Sequence, residues 1–187
     1  MSRLYFLLPL ILIFLASACD DDDSELGRIT IIGRNDGWAV ENINSDFRAK
    51  YQAAIDGTDD AVFTAADTTR TAVAFAYEEQ ASRLIDVEAC DRDDAIFFFG
   101  DGEILNAKLG TDCPDDRSVT DPFNQLFYSS DLNVDNLRLR DARGQAVATY
   151  AVSTLNESEW VFSRTVSVAD TLIGNFNYEL EYELRAR

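Results

Sequence analysis

Residues 174–185 have the sequence Gly-Asn-Phe-Asn-Tyr-Glu-Leu-Glu-Tyr-Glu-Leu-Arg, in which apolar and polar side chains alternate. Successive side chains of a β-strand point to opposite faces of a sheet, so this order produces one apolar and one polar face. Antiparallel sheets commonly pack one face on the core and leave the other in water. The stretch therefore predicts an antiparallel β-fold with inward Tyr and Leu side chains and outward Glu side chains.

The preceding part of the chain continues this β pattern. Runs of apolar, β-branched and aromatic residues predict strands at 134–140, 146–154 and 159–168. Turn-forming residues come before these runs at 121–122 and between the first two at 141–144. The second half of the chain is therefore expected to be a series of antiparallel strands.

Two hairpins are predicted nearer the N-terminus. The first joins residues 28–32 to residues 38–43 through a turn rich in Gly, Asn and Asp. The second joins residues 96–99 to residues 103–105 through a Gly-Asp-Gly turn, which is a strong local hairpin signal. These pairs extend the predicted sheet to both halves of the chain.

Two helices are expected to interrupt the strands. Phe47, Tyr51 and Ile55 recur at four-residue spacing, which predicts one buried helix face that ends at Gly57. Residues 69–86 fit either strand alternation or a helix face, and their Ala, Glu and Gln content favours the helix. The predicted fold is therefore mainly β, a small antiparallel β-barrel with one or two inserted helices.

Composition excludes several classes of function. The chain has 187 residues with 34 acidic and 16 basic side chains, a net charge of −18. Such a charge disfavours binding to nucleic acid and to anionic lipid. The chain contains no histidine, so Ser-His-Asp and Cys-His catalysis and histidine metal sites are excluded. We expect a non-enzymatic protein without a cofactor.

Residues 1–18 have the layout of a cleaved signal peptide. One basic residue, Arg3, precedes an apolar stretch shorter than the about 20 residues that a membrane-spanning helix needs. Three small residues, 16–18, then lead to Cys19. This order resembles the lipobox of bacterial lipoproteins, in which the cysteine receives acyl chains such as palmitate. The resemblance implies lipidation at Cys19. The alternatives are an ordinary secretory signal with an incidental cysteine and a buried N-terminal helix.

An acidic segment follows the predicted lipidation site. Residues 20–23 are four aspartates, and a block of like charges behaves as a solvated spacer. Such a block is similar to the surface-export signal of Bacteroidota lipoproteins, whereas in enterobacteria an aspartate at this place resembles an inner-membrane retention signal. We expect residues 19–27 to form a lipidated acidic tether at the outer membrane, exposed on the cell surface.

The chain has three cysteines, and if Cys19 carries the lipid, Cys90 and Cys113 remain to pair with each other. In an oxidising compartment such a pair favours a disulfide, and two free buried thiols are the alternative. The bridge would close a loop of about 24 residues and stabilise the fold by roughly 3 kcal/mol on the chain-entropy model.

Acidic residues surround both cysteines. Calcium takes six to eight oxygen ligands, so two acidic loops joined by a disulfide are conceivable ligands. The spacing matches no EF-hand loop, and turn-forming, solvated aspartates explain the cluster more simply. We therefore assign no metal site to the following residues: Asp91, Asp93, Asp94, Asp112, Asp115 and Asp116.

The region around the two cysteines carries a family resemblance. Cys90 is followed by an acidic pair, an apolar strand at 95–99, a glycine turn at 100–102 and Cys113 in an acid-rich segment. This order is similar to the lipocalin-like lipoproteins of Bacteroidota, over about residues 85–187. The resemblance implies a lipocalin-like β-barrel and leaves the family's function poorly defined.

These observations lead to one functional expectation. We expect a single domain over residues 28–187 that acts as a binding or interaction module, held at the membrane by its lipid. Its partner is either a small hydrophobic ligand in an open barrel or an envelope protein docked on a filled barrel. The sequence indicates no particular ligand-binding residues.

Overall fold

The computed structural model describes residues 23–111, Cys113, Phe123, 126–131 and 133–187. The predicted signal peptide and Cys19 lie outside the described residues, as do Asp112, Asp115, Asp116 and the turn at 121–122. The helices are α1 (Asp23–Ile32), α2 (Phe47–Gly57), α3 (Asp60–Ala65), α4 (Arg70–Ile85) and α5 (Ala89–Arg92). The strands are β1 (Trp38–Ser45), β2 (Ala95–Phe98), β3 (Ile104–Ala107), β4 (Phe127–Ser130), β5 (Asn136–Arg140), β6 (Ala146–Leu155), β7 (Glu159–Asp170) and β8 (Gly174–Ala186).

The strands form one antiparallel sheet that curls into a nearly closed barrel. Their order is β3-β2-β1-β8-β7-β6-β5-β4. The first and last strands meet where Glu103 pairs with Phe127. The Tyr128 amide also donates to the Gly102 carbonyl over 2.7 Å. The mainly β barrel expected from the sequence is confirmed.

The β8 strand has the two faces that its alternating sequence predicts. Tyr178, Leu180, Tyr182 and Leu184 are buried on the inner face. The intervening glutamates lie on the opposite face, as the strand alternation requires. This strand pairs with β1 on one side and with β7 on the other, so it occupies the centre of the sheet.

A helical segment lies between β1 and β2. The predicted face of α2 is confirmed, since Phe47, Tyr51 and Ile55 are all buried. Residues 69–86 are helical, and α4 buries Tyr77 on the same side of the molecule. The insertion also contains α3 and α5, so it has more helices than the one or two expected.

The predicted hairpin of residues 28–32 with residues 38–43 is wrong, because residues 28–32 belong to α1. Ile32 is fully buried at the end of this helix, and its carbonyl accepts a hydrogen bond of 3.1 Å from the Trp38 indole. Both edges of β1 are occupied instead by β2 and β8. Tertiary packing therefore overrides the weak local strand preference of the Ile-Thr-Ile-Ile run. None of the described helices has the length and apolar character needed to cross a membrane.

Candidate functional site

Aromatic side chains fill the barrel interior. Each of the following is less than 2% exposed: Trp38, Phe98, Phe123, Tyr150, Trp160, Phe162 and Tyr182. Phe162 is central, with ring centroids 5.0 Å from Trp160 and 5.5 Å from Tyr182. The Phe98 ring centroid lies 4.9 Å from that of Trp160. Rings at these distances form a packed core, since they leave little space between their surfaces.

Helices α2 and α4 cover the end of the barrel near the β7–β8 turn. Phe47 packs at 4.7 Å from the Tyr178 ring and at 6.1 Å from the Phe176 ring. Tyr51 and Tyr77 stack on each other at 5.4 Å. Burial, together with a hydrogen bond to Glu78, raises the pKa of Tyr51 to about 12. These tyrosines therefore serve as neutral packing groups at ordinary pH.

An arginine joins the two covering helices. The Arg48 guanidinium contacts Glu78 at 2.7 Å and Asp86 at 2.8 Å. Hydrogen bonds from Arg48 hold the pKa of both carboxyl groups below their usual values. This clamp holds α2 against α4 and its C-terminal end.

The disulfide between Cys90 and Cys113 is present, with a Cα–Cα distance of 5.2 Å. It closes the base of the β2–β3 hairpin, which begins at the pair Ala95 and Ala107. Between that pair and the disulfide, the Asp94 side chain accepts a hydrogen bond of 3.0 Å from the Leu109 amide. The disulfide thus continues a series of links between the two chain segments.

The acidic residues near the disulfide bind backbone groups. Asp93 accepts the Thr111 amide over 2.9 Å, and Asp91 accepts the Glu88 amide over 2.8 Å. Asp91 also lies close to both cysteine sulfurs, but sulfurs joined in a disulfide offer no thiolate ligand. A Cβ at Gly110, which has a φ of 73°, would collide with the Asp93 carboxylate. The described acids therefore shape this loop.

An apolar groove lies between α3 and the β7–β8 turn. Its volume is about 650 Å³. Small and apolar side chains line it: Ala61, Val62, Ala65, Ala66, Thr68, Thr171 and Leu172. No pattern in the sequence predicted this groove, although Asp59 ahead of Ala61 and Val62 is a helix N-cap signal that could have indicated α3.

Acidic residues adjoin the groove along the chain. Asp60 precedes its first lining residue, Asp67 lies between two others, and Asp170 precedes Thr171. Arg70, which follows the groove residues of this segment in the chain, is paired with Asp60 at 2.8 Å and also donates to backbone carbonyls. The charge of Asp60 is therefore balanced, and Asp67 and Asp170 add negative charge next to the apolar groove.

Comparisons of this chain with protein-family models, with curated proteins and with solved structures find no match. The assignment of a function therefore depends on the packed barrel interior and on the groove between α3 and the β7–β8 turn.

Proposed function

We propose that this protein is a lipid-anchored lipoprotein of the outer membrane surface that docks a partner protein through the groove. It is proposed to act without catalysis, as an accessory or interaction module. The observation that carries this proposal is the packed barrel interior. A cavity for a small hydrophobic ligand needs space that aromatic rings such as Phe162 occupy. The filled barrel therefore favours the partner protein among the two alternatives open from the sequence.

The position of the groove supports this role. The β8 strand runs from Gly174, beside the turn that borders the groove, to Ala186, which pairs with Trp38 near the end of α1. A strand of 13 residues spans about 40 Å. Cys19 precedes α1 by four residues, a length that reaches no more than about 14 Å. The ten residues of α1 add about 15 Å, so a lipid at Cys19 would lie within about 29 Å of Ile32. This reach is shorter than the roughly 40 Å length of β8, so the anchor would leave the groove free for a partner.

The chemistry of the groove defines the expected partner. Its apolar floor is suited to an apolar side chain, because contact removes both surfaces from water. Its acidic border attracts positive charge and repels acidic segments. We therefore propose that the partner contributes an apolar segment flanked by Lys or Arg.

The anchor has a direct test. Cys19→Ala should move the protein from the membrane fraction to the soluble fraction, because the acyl chains provide the membrane affinity. Intact-mass measurement of the native protein should show acyl groups on an N-terminal cysteine. Ser24→Ala, a change of similar size nearby, should leave both results unaltered. Membrane retention of Cys19→Ala would contradict the anchor.

The groove is tested by photocrosslinking in intact cells. A photoreactive residue at position 62, on the floor of the groove, should give a discrete adduct. The same residue at position 147, an exposed apolar site on β6, should not give that adduct. Ala65→Asp should lower the adduct yield at least about tenfold, since it places a charge on the apolar floor.

Identification of the crosslinked peptide completes the test. An apolar peptide flanked by Lys or Arg supports the proposal. The same adducts from positions 62 and 147, or an adduct that survives Ala65→Asp, would refute docking in the groove while leaving the anchor result unaffected.

A further inference from the structure

Three apolar side chains form an exposed patch on the outer face of the β2–β3 hairpin. Leu105 is 51% exposed and Phe99 is 42% exposed, while Phe97 is half-buried. The Phe97 and Phe99 rings stack with their centroids 6.5 Å apart. Leu105 is opposite Phe97 in the strand register, so the three side chains adjoin one another. We call Phe97, Phe99 and Leu105 the hairpin patch.

Strand alternation separates the hairpin patch from the barrel core. Phe98 and Ile104 are opposite each other in the register, and both are buried on the inner face. The Phe99 amide donates to the Glu103 carbonyl over 2.9 Å, which continues the ladder, so the residues next to Phe98 face outward. Scattered apolar side chains are ordinary on a protein surface, whereas contiguous ones indicate contact with another apolar surface.

The hairpin patch lies at the α1 end of the barrel. Strand β2 pairs with Trp38, the first residue of β1, and then runs on beyond the start of β1 because the two strands are antiparallel. A Cβ atom on Gly37 would lie 2.9 Å from the Phe97 ring, and one on Gly33 would lie 3.4 Å from the Phe98 carbonyl oxygen. The turn between α1 and β1 therefore packs beside the hairpin patch.

The groove lies at the opposite end of the sheet. Ala186, at the end of β8, pairs with Trp38, whereas Gly174 at its start follows the β7–β8 turn that borders the groove. The 13 residues of β8 span about 40 Å. A contact made at the α1 end therefore leaves the groove uncovered.

The proposed anchor connects to the same end of the barrel. A lipid at Cys19 would lie within about 29 Å of Ile32, the last residue of α1. Gly33 follows directly and lies beside β2. A bilayer that holds this lipid is thus within reach of the hairpin patch, while the groove is a barrel length farther away.

We propose that the hairpin patch rests on the bilayer that carries the lipid anchor. Phenylalanine and leucine side chains bind at the boundary between lipid headgroups and acyl chains, because this contact removes their surfaces from water. The barrel then stands on its α1 end with the groove directed away from the membrane. This inference rests on the proposed anchor at Cys19 and is independent of docking in the groove.

Nearby carboxylates define the kind of lipid. Asp101 and Glu103 are exposed in the hairpin turn, and the Glu103 amide donates to the Asp101 carboxylate over 3.1 Å. The proposed tether adds the four aspartates at 20–23. These charges are repelled by anionic lipid but not by zwitterionic lipid, which has no net charge. The contact should therefore form on zwitterionic lipid, and it should be shallow because the carboxylates stay in water.

The test uses the native lipidated protein in phosphatidylcholine nanodiscs. Its intact mass and its co-elution with the nanodiscs first establish the anchor. A spin label at Leu105→Cys should then be more accessible to oxygen, which dissolves in the bilayer, than to a water-soluble nickel complex. The same label at Val147→Cys, a site on β6 that is 54% exposed, should show the opposite order. The disulfide between Cys90 and Cys113 leaves the introduced cysteine as the reactive one.

A photoreactive phosphatidylcholine extends the test to the unmodified protein. With its reactive group next to the headgroup, this lipid should label residues 97–105 and leave the segment around Val147 unlabelled. Phe99→Ser combined with Leu105→Ser should lower the labelling of the hairpin at least about tenfold, because two apolar contacts are lost. Val147→Ser is the matched control and should leave the labelling unchanged. Phosphatidylglycerol nanodiscs should give weaker labelling, and thermal unfolding monitors the fold of each variant.

Three results would overturn the proposal. The first is a label at position 105 that the nickel complex reaches freely while the protein stays on the nanodisc. The second is an absence of lipid labelling at residues 97–105 of the unmodified protein, which decides the question even if the double variant fails to fold. The third is a discrete protein adduct from a photoreactive residue at position 105 in intact cells, which would assign the hairpin patch to a protein partner.

Failure of the anchor is a separate outcome. A native chain without acyl mass that does not associate with nanodiscs would refute the proposed anchor, and the bilayer contact with it. An acylated chain that stays on the nanodisc with its hairpin in water would refute the bilayer contact alone.

Discussion

Phe162→Ala is expected to lower the free energy of unfolding by about 3–5 kcal/mol. Phe162 is fully buried, and its ring lies 5.0 Å from Trp160, 5.2 Å from Tyr150 and 5.5 Å from Tyr182. Truncation removes the transfer free energy of the ring and leaves a cavity that rigid neighbouring rings cannot fill. Urea unfolding monitored by tryptophan fluorescence measures this loss. Since single domains have about 5–15 kcal/mol of stability, the variant should be close to unfolding at 37 °C.

The same substitution at Phe75 is the matched control. Phe75 lies on α4 and is 72% exposed, so its removal costs little burial. Alanine is also the better helix former there, which offsets part of any loss. Phe75→Ala should therefore change stability by less than about 1 kcal/mol. Equal losses from the two variants would show that the barrel interior is loosely packed, and would remove the observation on which the proposed docking function depends.

Loss of the disulfide is expected to lower the free energy of unfolding by about 3 kcal/mol. The double variant Cys90→Ala with Cys113→Ala frees a loop spanning 23 residue steps, which enlarges the conformational freedom of the unfolded chain. The β2–β3 hairpin should loosen first, because its base loses a covalent link and is then held by non-covalent contacts such as the hydrogen bonds that the Thr111 and Leu109 amides donate to Asp93 and Asp94. Denaturant unfolding of the double variant measures the loss of stability, and hydrogen exchange locates it.

Reduction of the unmodified protein provides a second measurement. Reduction should lower the free energy of unfolding about as much as the double substitution does, because both changes remove the same disulfide. Neither change should alter the partner adduct at position 62, since the groove lies on α3 and the β7–β8 turn. A reduced protein as stable as the oxidised one would contradict a stabilising disulfide.

Local periodicity predicted much of the secondary structure. The β8 alternation and the Phe47, Tyr51 and Ile55 face of α2 both describe side chains that the structure buries. Residues 69–86 are helical, in agreement with their composition. Such patterns succeed because strand and helix periods place side chains on faces without reference to distant parts of the chain.

Local signals failed where distant contacts decide the backbone. Residues 28–32 have the composition of a strand, yet they belong to α1, and the strand that follows, β1, pairs with the distant strands β2 and β8 instead. Strand β4 was not predicted, and it is stabilised by pairing with β5 and by its contact with Glu103. Strand β5 follows β4 directly, whereas Glu103 is far from Phe127 in the sequence, so a short window contains no record of that contact.

The order of residues alone indicates the β class, the acidic composition and the exclusion of histidine chemistry. It favours a disulfide between Cys90 and Cys113 over two free thiols, and the structure shows the disulfide. The three-dimensional arrangement decides that the barrel interior is packed and that α3 and the β7–β8 turn form a groove. The physical reason is that composition and periodicity are properties of neighbouring residues. Packing and grooves depend on which distant strands and helices become neighbours.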